Sequence, residues 1–108
     1  MDDWTDVAAS TDFPPGTRRA VDAGGTRIAV FNVDGEYYAI EDLCSHEAET
    51  LSEGTVNGLE ITCPAHQARF SLVDGAALSA PAYEPIATFP VRIVDGRVQV
   101  RDDRFDDN

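Results

Sequence analysis

The chain has no lysine, only two cysteines and two histidines, and no apolar run approaching the length of a membrane-spanning helix. Each shortage excludes something. All eight basic residues are arginines set against twenty acids, a formal net charge of −12. A surface this acidic repels nucleic acid and anionic membranes, so neither is expected as a partner. Solubility, steering of a partner and a salty habitat would each produce such an excess. Met1-Asp2-Asp3-Trp4 has neither the basic start nor the apolar stretch of a signal peptide, so a soluble, cytoplasmic protein is expected. Two cysteines permit one disulfide at most; each lies close to a histidine, so a metal site competes with it, and thiols used as ligands would leave no disulfide, as suits a reducing compartment.

What is present suits one domain spanning 1–108. Hydrophobic residues make up 43% of the 108, enough for a modest core, and there is no repeat or low-complexity linker. The punctuation is that of an all-β fold. Asp34-Gly35, Asn57-Gly58, Asp74-Gly75 and Asp95-Gly96 are Asx-Gly pairs of the kind that join antiparallel strands, and Gly24-Gly25 is a further turn. Between them the chain alternates. Phe89, Val91 and Ile93 are expected on a buried face, with Pro90 and Arg92 opposite, at an edge or facing solvent. Val98 and Val100 point inward from the returning strand, and Arg97, Gln99 and Arg101 point outward. A second hairpin is predicted from Thr26–Val33 to Glu36–Glu41. Strands near Trp4–Ala8 and Thr17–Asp22, joined across Phe13-Pro14-Pro15-Gly16, would complete the sheets. The nearly all-charged tail, 102–108, is expected to fray. About 42–85 differs, with shorter strands, more Gly, Pro and Ser, and every soft metal ligand in the chain, and is read as an inserted subdomain.

Those ligands are Cys44-Ser45-His46 and Cys63-Pro64-Ala65-His66, with sixteen residues between His46 and Cys63. Three readings compete. Buried thiols with ordinary histidines are common, but would not place all four residues in two short segments of the same order. A tetrahedral zinc site takes this ligand set, making a zinc-stabilised module without redox function, yet a common zinc finger pairs Cys with Cys and His with His. A [2Fe–2S] cluster with two histidines on one iron explains the mixed pairs, because each loop must reach both metals.

The two segments resemble the C-x-H and C-P-x-H motifs of Rieske proteins. The likeness runs on through Leu51-Ser52-Glu53-Gly54, Phe70 and Pro81-Ala82, and back to Val33–Ile40. It is nearest to the small ferredoxins of multicomponent aromatic-ring dioxygenases. The resemblance implies a Rieske fold of stacked antiparallel sheets with a cluster-binding subdomain. It also implies one [2Fe–2S] cluster on Cys44, His46, Cys63 and His66. The role implied is electron carriage from an NADH-dependent flavin reductase to a terminal oxygenase, both partners being transient. The small subunit of an assimilatory nitrite reductase shares the fold and is the alternative, although many such subunits lack the full ligand set. The chain is not expected to be an enzyme by itself, since both histidines are committed to iron and no phosphate-cradling loop is present.

The likeness also assigns surroundings to the cluster. Pro64 stiffens the second loop through its fixed φ. Gln67 stands where the family usually has glycine, which bears on the geometry of that loop. A proline-bearing loop covers the cluster in the family, which would be Pro81, with a plain turn proline as the alternative. High-potential relatives of respiratory complexes carry Ser and Tyr hydroxyls at the positions of Ala68 and Phe70, and a disulfide at those of Glu49 and Ala65. None is present here, so a low potential, about −150 mV, is expected. Glu47, Glu49 and Glu53 flank the first loop and either steer a basic partner or solvate the loop.

Overall fold

The computed structural model describes residues 4–43, 51–63, 68–79 and 85–103. Ten strands follow in chain order: β1 (Thr5–Ala9), β2 (Arg18–Ala23), β3 (Thr26–Val33), β4 (Glu36–Glu41), β5 (Thr55–Asn57), β6 (Glu60–Thr62), β7 (Arg69–Ser71), β8 (Thr88–Phe89), β9 (Val91–Val94) and β10 (Arg97–Val100). Short 3₁₀ turns occupy Ser10–Asp12 and Leu51–Glu53. All pairings are antiparallel and make three sheets, ordered β1-β10-β9, β2-β3-β4-β8 and β5-β6-β7. No described helix is long and apolar enough to cross a membrane.

The Asx-Gly turns set the hairpins. Asp34 and Gly35 both have positive φ, as do Asp95 and Gly96, and each pair closes a two-residue turn. Such turns match the right-handed twist of the flanking strands. Gly24-Gly25 joins β2 to β3 in the same way.

The middle sheet is covered on both sides, and β3 shows why the sequence reads as it does. Ile28 and Val30 enter one core with Phe13, Ala39, Phe89, Val98 and Val100. Ala29 and Phe31, pointing the other way, enter a second core with Ile40, Leu51, Ile61, Cys63, Ala68, Phe70, Leu72 and Ile86. A strand buried on both faces reads as an unbroken apolar run, here Ile28-Ala29-Val30-Phe31, rather than an alternating one. Each large side chain so buried contributes about 1.5–3 kcal/mol.

The connection from β1 to β2 is anchored rather than loose. Phe13 is fully buried and meets Tyr37 edge-on, with ring centroids 5.0 Å apart. Its carbonyl accepts hydrogen bonds from Asn32 Nδ2 (2.7 Å) and the Tyr37 hydroxyl (3.1 Å). Asn32 is thereby buried with its polar atoms satisfied: its Oδ1 also accepts from the Gly35 amide at 2.8 Å.

Several expectations are corrected. Phe89, Val91 and Ile93 do not share one continuous strand. Pro90 has no N–H to give a ladder, and the chain changes sheets there, β8 pairing with β4 and β9 with β10. Ile93 is 54% exposed although its partner Val98 is buried. The cause is position: β10 is the central strand of its sheet and β9 an edge strand, so the core does not extend over Ile93. β2 begins one residue later than expected, because Thr17 belongs to the preceding turn and its hydroxyl donates to the Pro14 carbonyl at 2.6 Å. Asp102, expected to open the frayed tail, accepts a 2.5 Å hydrogen bond from Thr26 Oγ1. Residues 104–108 lie outside the described residues.

Candidate metal centre

Two chain segments carry the expected ligands, and both spring from strand ends that the second core holds. The second segment leaves β6 at Cys63 and re-enters β7 after Ala68. The Cys63 amide donates a 2.7 Å hydrogen bond to the Ala68 carbonyl, closing the hairpin root around residues 64–67. Cys63, Ala68 and Phe70 are all fully buried in one cluster with Leu51, Ile61 and Leu72. Ala68 and Phe70 thus share the core of the Cys63 thiol. Neither offers a side-chain donor.

The first segment leaves β4 at Asp42 and returns at Leu51. Its two ends are tied together. Asp42 is inaccessible to solvent at its side chain, and three donors converge on it. The Ser52 amide reaches Oδ1 at 2.6 Å, the Ser52 hydroxyl reaches Oδ2 at 2.8 Å, and Arg27 Nε reaches Oδ2 at 2.8 Å. The Asp42 amide donates to the Arg27 carbonyl at 2.9 Å, extending the β3–β4 ladder by one rung. An enclosed carboxylate is tolerated only with such partners, because desolvating an unpaired one costs several kcal/mol.

The returning turn is gripped from its other side as well. Arg18 Nη1 donates to the Ser52 carbonyl at 3.0 Å and also to the Gly54 carbonyl. The Arg18 guanidinium lies over the Phe31 ring, 5.4 Å from its centroid. Gly54 is required where it stands, since a Cβ there would overlap the Thr62 carbonyl on β6. Glu53, between these fixed residues, is exposed.

Of the sequence-derived site residues, Cys63, Ala68, Phe70 and Glu53 are described. Cys44, His46, Glu47, Glu49, Pro64, His66, Gln67 and Pro81 lie outside the described residues. Asp42, Arg18 and Arg27 do not stand out in the sequence, and Ser52 enters only as part of the Leu51–Gly54 stretch. The one signal it holds is an aspartate two residues before a ligand cysteine. It reads as an ordinary turn acid until the fold brings Ser52 and Arg27 to it.

The donor set fits an iron–sulfur group. A soft, buried thiol sits in an apolar shell, three positions in sequence before a histidine. Such a shell disfavours a bare thiolate and suits one whose charge is taken up by iron. The family model for the Rieske [2Fe-2S] domain matches residues 3–90, and the chain belongs to that family. It carries one Rieske [2Fe–2S] cluster and is an electron carrier rather than an enzyme. Among relatives, it is 42% identical over 98 residues to the ferredoxin component of the naphthalene 1,2-dioxygenase/salicylate 5-hydroxylase systems of a Ralstonia species, covering 91% of this chain and 94% of that one. It is 41% identical over 97 residues to the naphthalene 1,2-dioxygenase ferredoxin component of Pseudomonas aeruginosa, covering 90% and 93%. Among solved structures, a chain in the complex of reduced oxygenase and oxidised ferredoxin of carbazole 1,9a-dioxygenase superposes with a TM-score of 0.87, at 38% identity and 94% coverage of both chains.

Proposed function

We propose that this protein is the ferredoxin of an aromatic-ring dioxygenase system, taking single electrons from an NADH-dependent flavin reductase and delivering them to a terminal oxygenase in the cytoplasm. The cluster supplies one-electron chemistry when bound. The chain's own residues do the rest. Cys44 and Cys63 would hold one iron and His46 and His66 the other, with about 42–85 acting as the cluster-bearing unit of a single domain. Pro64, Gln67 and Pro81 would line that unit beside Ala68 and Phe70. The observation that carries the reading is the placement of Cys63, a buried thiol three positions in sequence before His66. The ferredoxin relatives favour this role over that of a nitrite reductase small subunit.

Leu43, 42% exposed, stands one residue before Cys44, and Glu53 is exposed on the returning turn. With Glu47 and Glu49 they would form a docking rim, apolar near the cluster and acidic outside it. Rim charges act mainly on the rate of encounter.

Iron, sulfide and EPR analysis test the ligation. Two irons and two sulfides per chain are expected, with the low average g value of a mixed His/Cys cluster. His46→Ala or His66→Ala should abolish that signal. A colourless protein holding one zinc would overturn the reading. Reduction of a purified terminal aromatic-ring oxygenase by the reduced protein tests the role; failure to reduce any such oxygenase, with a nitrite reductase served instead, would move the chain to the alternative.

A further inference from the structure

We propose that Asp42 is a positioning residue for the cluster, acting through Ser52 to lock the two legs of the first ligand loop together. This rests on the cluster reading above. The loop leaves the β3–β4 hairpin at Leu43 and comes back at Leu51, and it contains Cys44 and His46. Bringing the two ends of a loop together has an entropic cost that contacts at its root must offset. Asp42 and Ser52, ten positions apart, face each other across its root. The carboxylate takes both donors of Ser52, the amide on Oδ1 and the hydroxyl on Oδ2, so translation and rotation of the returning leg are both restrained.

The other side of the clamp is equally fixed. Asp42 is held to β3 by the Arg27 carbonyl through its backbone and by Arg27 Nε through its side chain. Ser52 is held to β2 by Arg18, whose guanidinium takes the Ser52 and Gly54 carbonyls. Every group at the loop root is therefore referred to the middle sheet, whose opposite face is packed on a separate core. The carboxylate side chain has no solvent exposure, whereas that of Arg27 is 58% exposed. Charge-assisted bonds in such an enclosed place are shorter and stronger than at the surface, which makes the lock rigid rather than incidental. A one-electron carrier gains from a rigid frame, because its ligands must keep one geometry in both oxidation states.

The experiment uses the full-length protein with its cluster and compares wild type with Asp42→Asn, Ser52→Ala and Ser52→Thr. Asparagine keeps the size but turns one acceptor oxygen into a donor; alanine removes one bond and threonine retains it. Three readouts are taken: hydrogen exchange of the Ser52 amide, the EPR g values, and the rate of iron loss to a chelator. Because its amide nitrogen must face a donor, either the Ser52 amide or Arg27 Nε, Asp42→Asn should weaken the clamp, deprotect the Ser52 amide, shift the g values and speed iron loss by less than the roughly tenfold or more that losing a direct partner of a metal ligand costs. Ser52→Ala should do the same to a smaller degree, and Ser52→Thr should restore wild-type behaviour. Deprotection of Ser52 with unchanged g values and unchanged iron loss would make Asp42 merely structural and overturn the proposal. If Asp42→Asn fails to fold, the Ser52→Ala and Ser52→Thr pair decides on the same readouts. A wild-type protein that binds no iron would instead overturn the cluster reading itself.

Discussion

The Ile86 amide donates a 2.9 Å hydrogen bond to the Gly75 carbonyl, and a Cβ on Gly75 would overlap the Ile86 carbonyl oxygen. Gly75 lies in the turn after β7, with its own amide bonded to the Ser71 carbonyl at 2.9 Å. This close approach ties the small sheet to the segment that leads into β8. Gly75 has a φ of +76°, so a side chain there also meets the steric cost of the left-handed region, about 1–2 kcal/mol. Gly75→Ala should therefore destabilise the protein by more than that cost alone, since backbone must also move. Urea unfolding at constant m-value checks it; a loss under about 0.5 kcal/mol, the scale of ordinary surface changes, would mean the approach is easily relieved.

The buried pair Ala68 and Phe70 gives a prediction about potential. Both share the Cys63 core, and neither carries a donor. Ala68→Ser with Phe70→Tyr should raise the midpoint potential by about 30–60 mV per productive bond, 59 mV being tenfold in a one-electron equilibrium. A hydroxyl that finds no sulfur would show instead as lost stability of about 1–3 kcal/mol with the potential unchanged. Redox titration and thermal unfolding of the same samples distinguish the outcomes.

Docking should respond to salt. If Glu47, Glu49 and Glu53 lie on the contact rim, electron delivery to the oxygenase should slow as ionic strength rises, because screening at 0.1 M acts within about 10 Å. Charge reversal at Glu47 and Glu49 should slow it further with the cluster spectrum intact. Stopped-flow oxygenase reduction over a salt series reads this. Mutants as fast as wild type and a flat profile would assign the acids to solvation.

One pH effect follows from the edge of the β1-β10-β9 sheet. Arg97 on β10 donates through both Nε, at 2.9 Å, and Nη2 to the Asp6 carboxylate on β1. The hydrogen bonds from Arg97 hold the Asp6 carboxyl below its ordinary range, and its charge adds to them. A carboxylate with a lowered folded pKa stabilises the fold above its unfolded pKa, about 3.9, and loses that contribution as pH falls through the folded value. The difference in Tm between wild type and Asp6→Asn should thus be constant near neutrality and close below about pH 4. Both groups are exposed, so the difference should be small and should shrink in salt. A gap that stays unchanged as pH falls all the way to acid unfolding would assign the effect to packing.

Much was legible from residue order alone, for a local physical reason. Turn chemistry is read within two residues, so the hairpins at Asp34-Gly35 and Asp95-Gly96 and the bounds Thr26–Val33 and Glu36–Glu41 follow directly from the sequence. The pairing of each Cys with a His is likewise a local pattern, and by itself it points to the cluster. Only the tertiary structure decided what depends on neighbours distant in sequence. Ile93 alternates like a core residue, yet the edge position of β9 leaves it exposed. Pro90 marks a change of sheet, which shows only when β8 and β9 find different partners. Asp42 looks like any acid beside a turn. Its burial and its grip on Ser52 arise because two hairpins meet at the loop root, and a hydrogen bond across ten residues leaves no periodic trace in the chain.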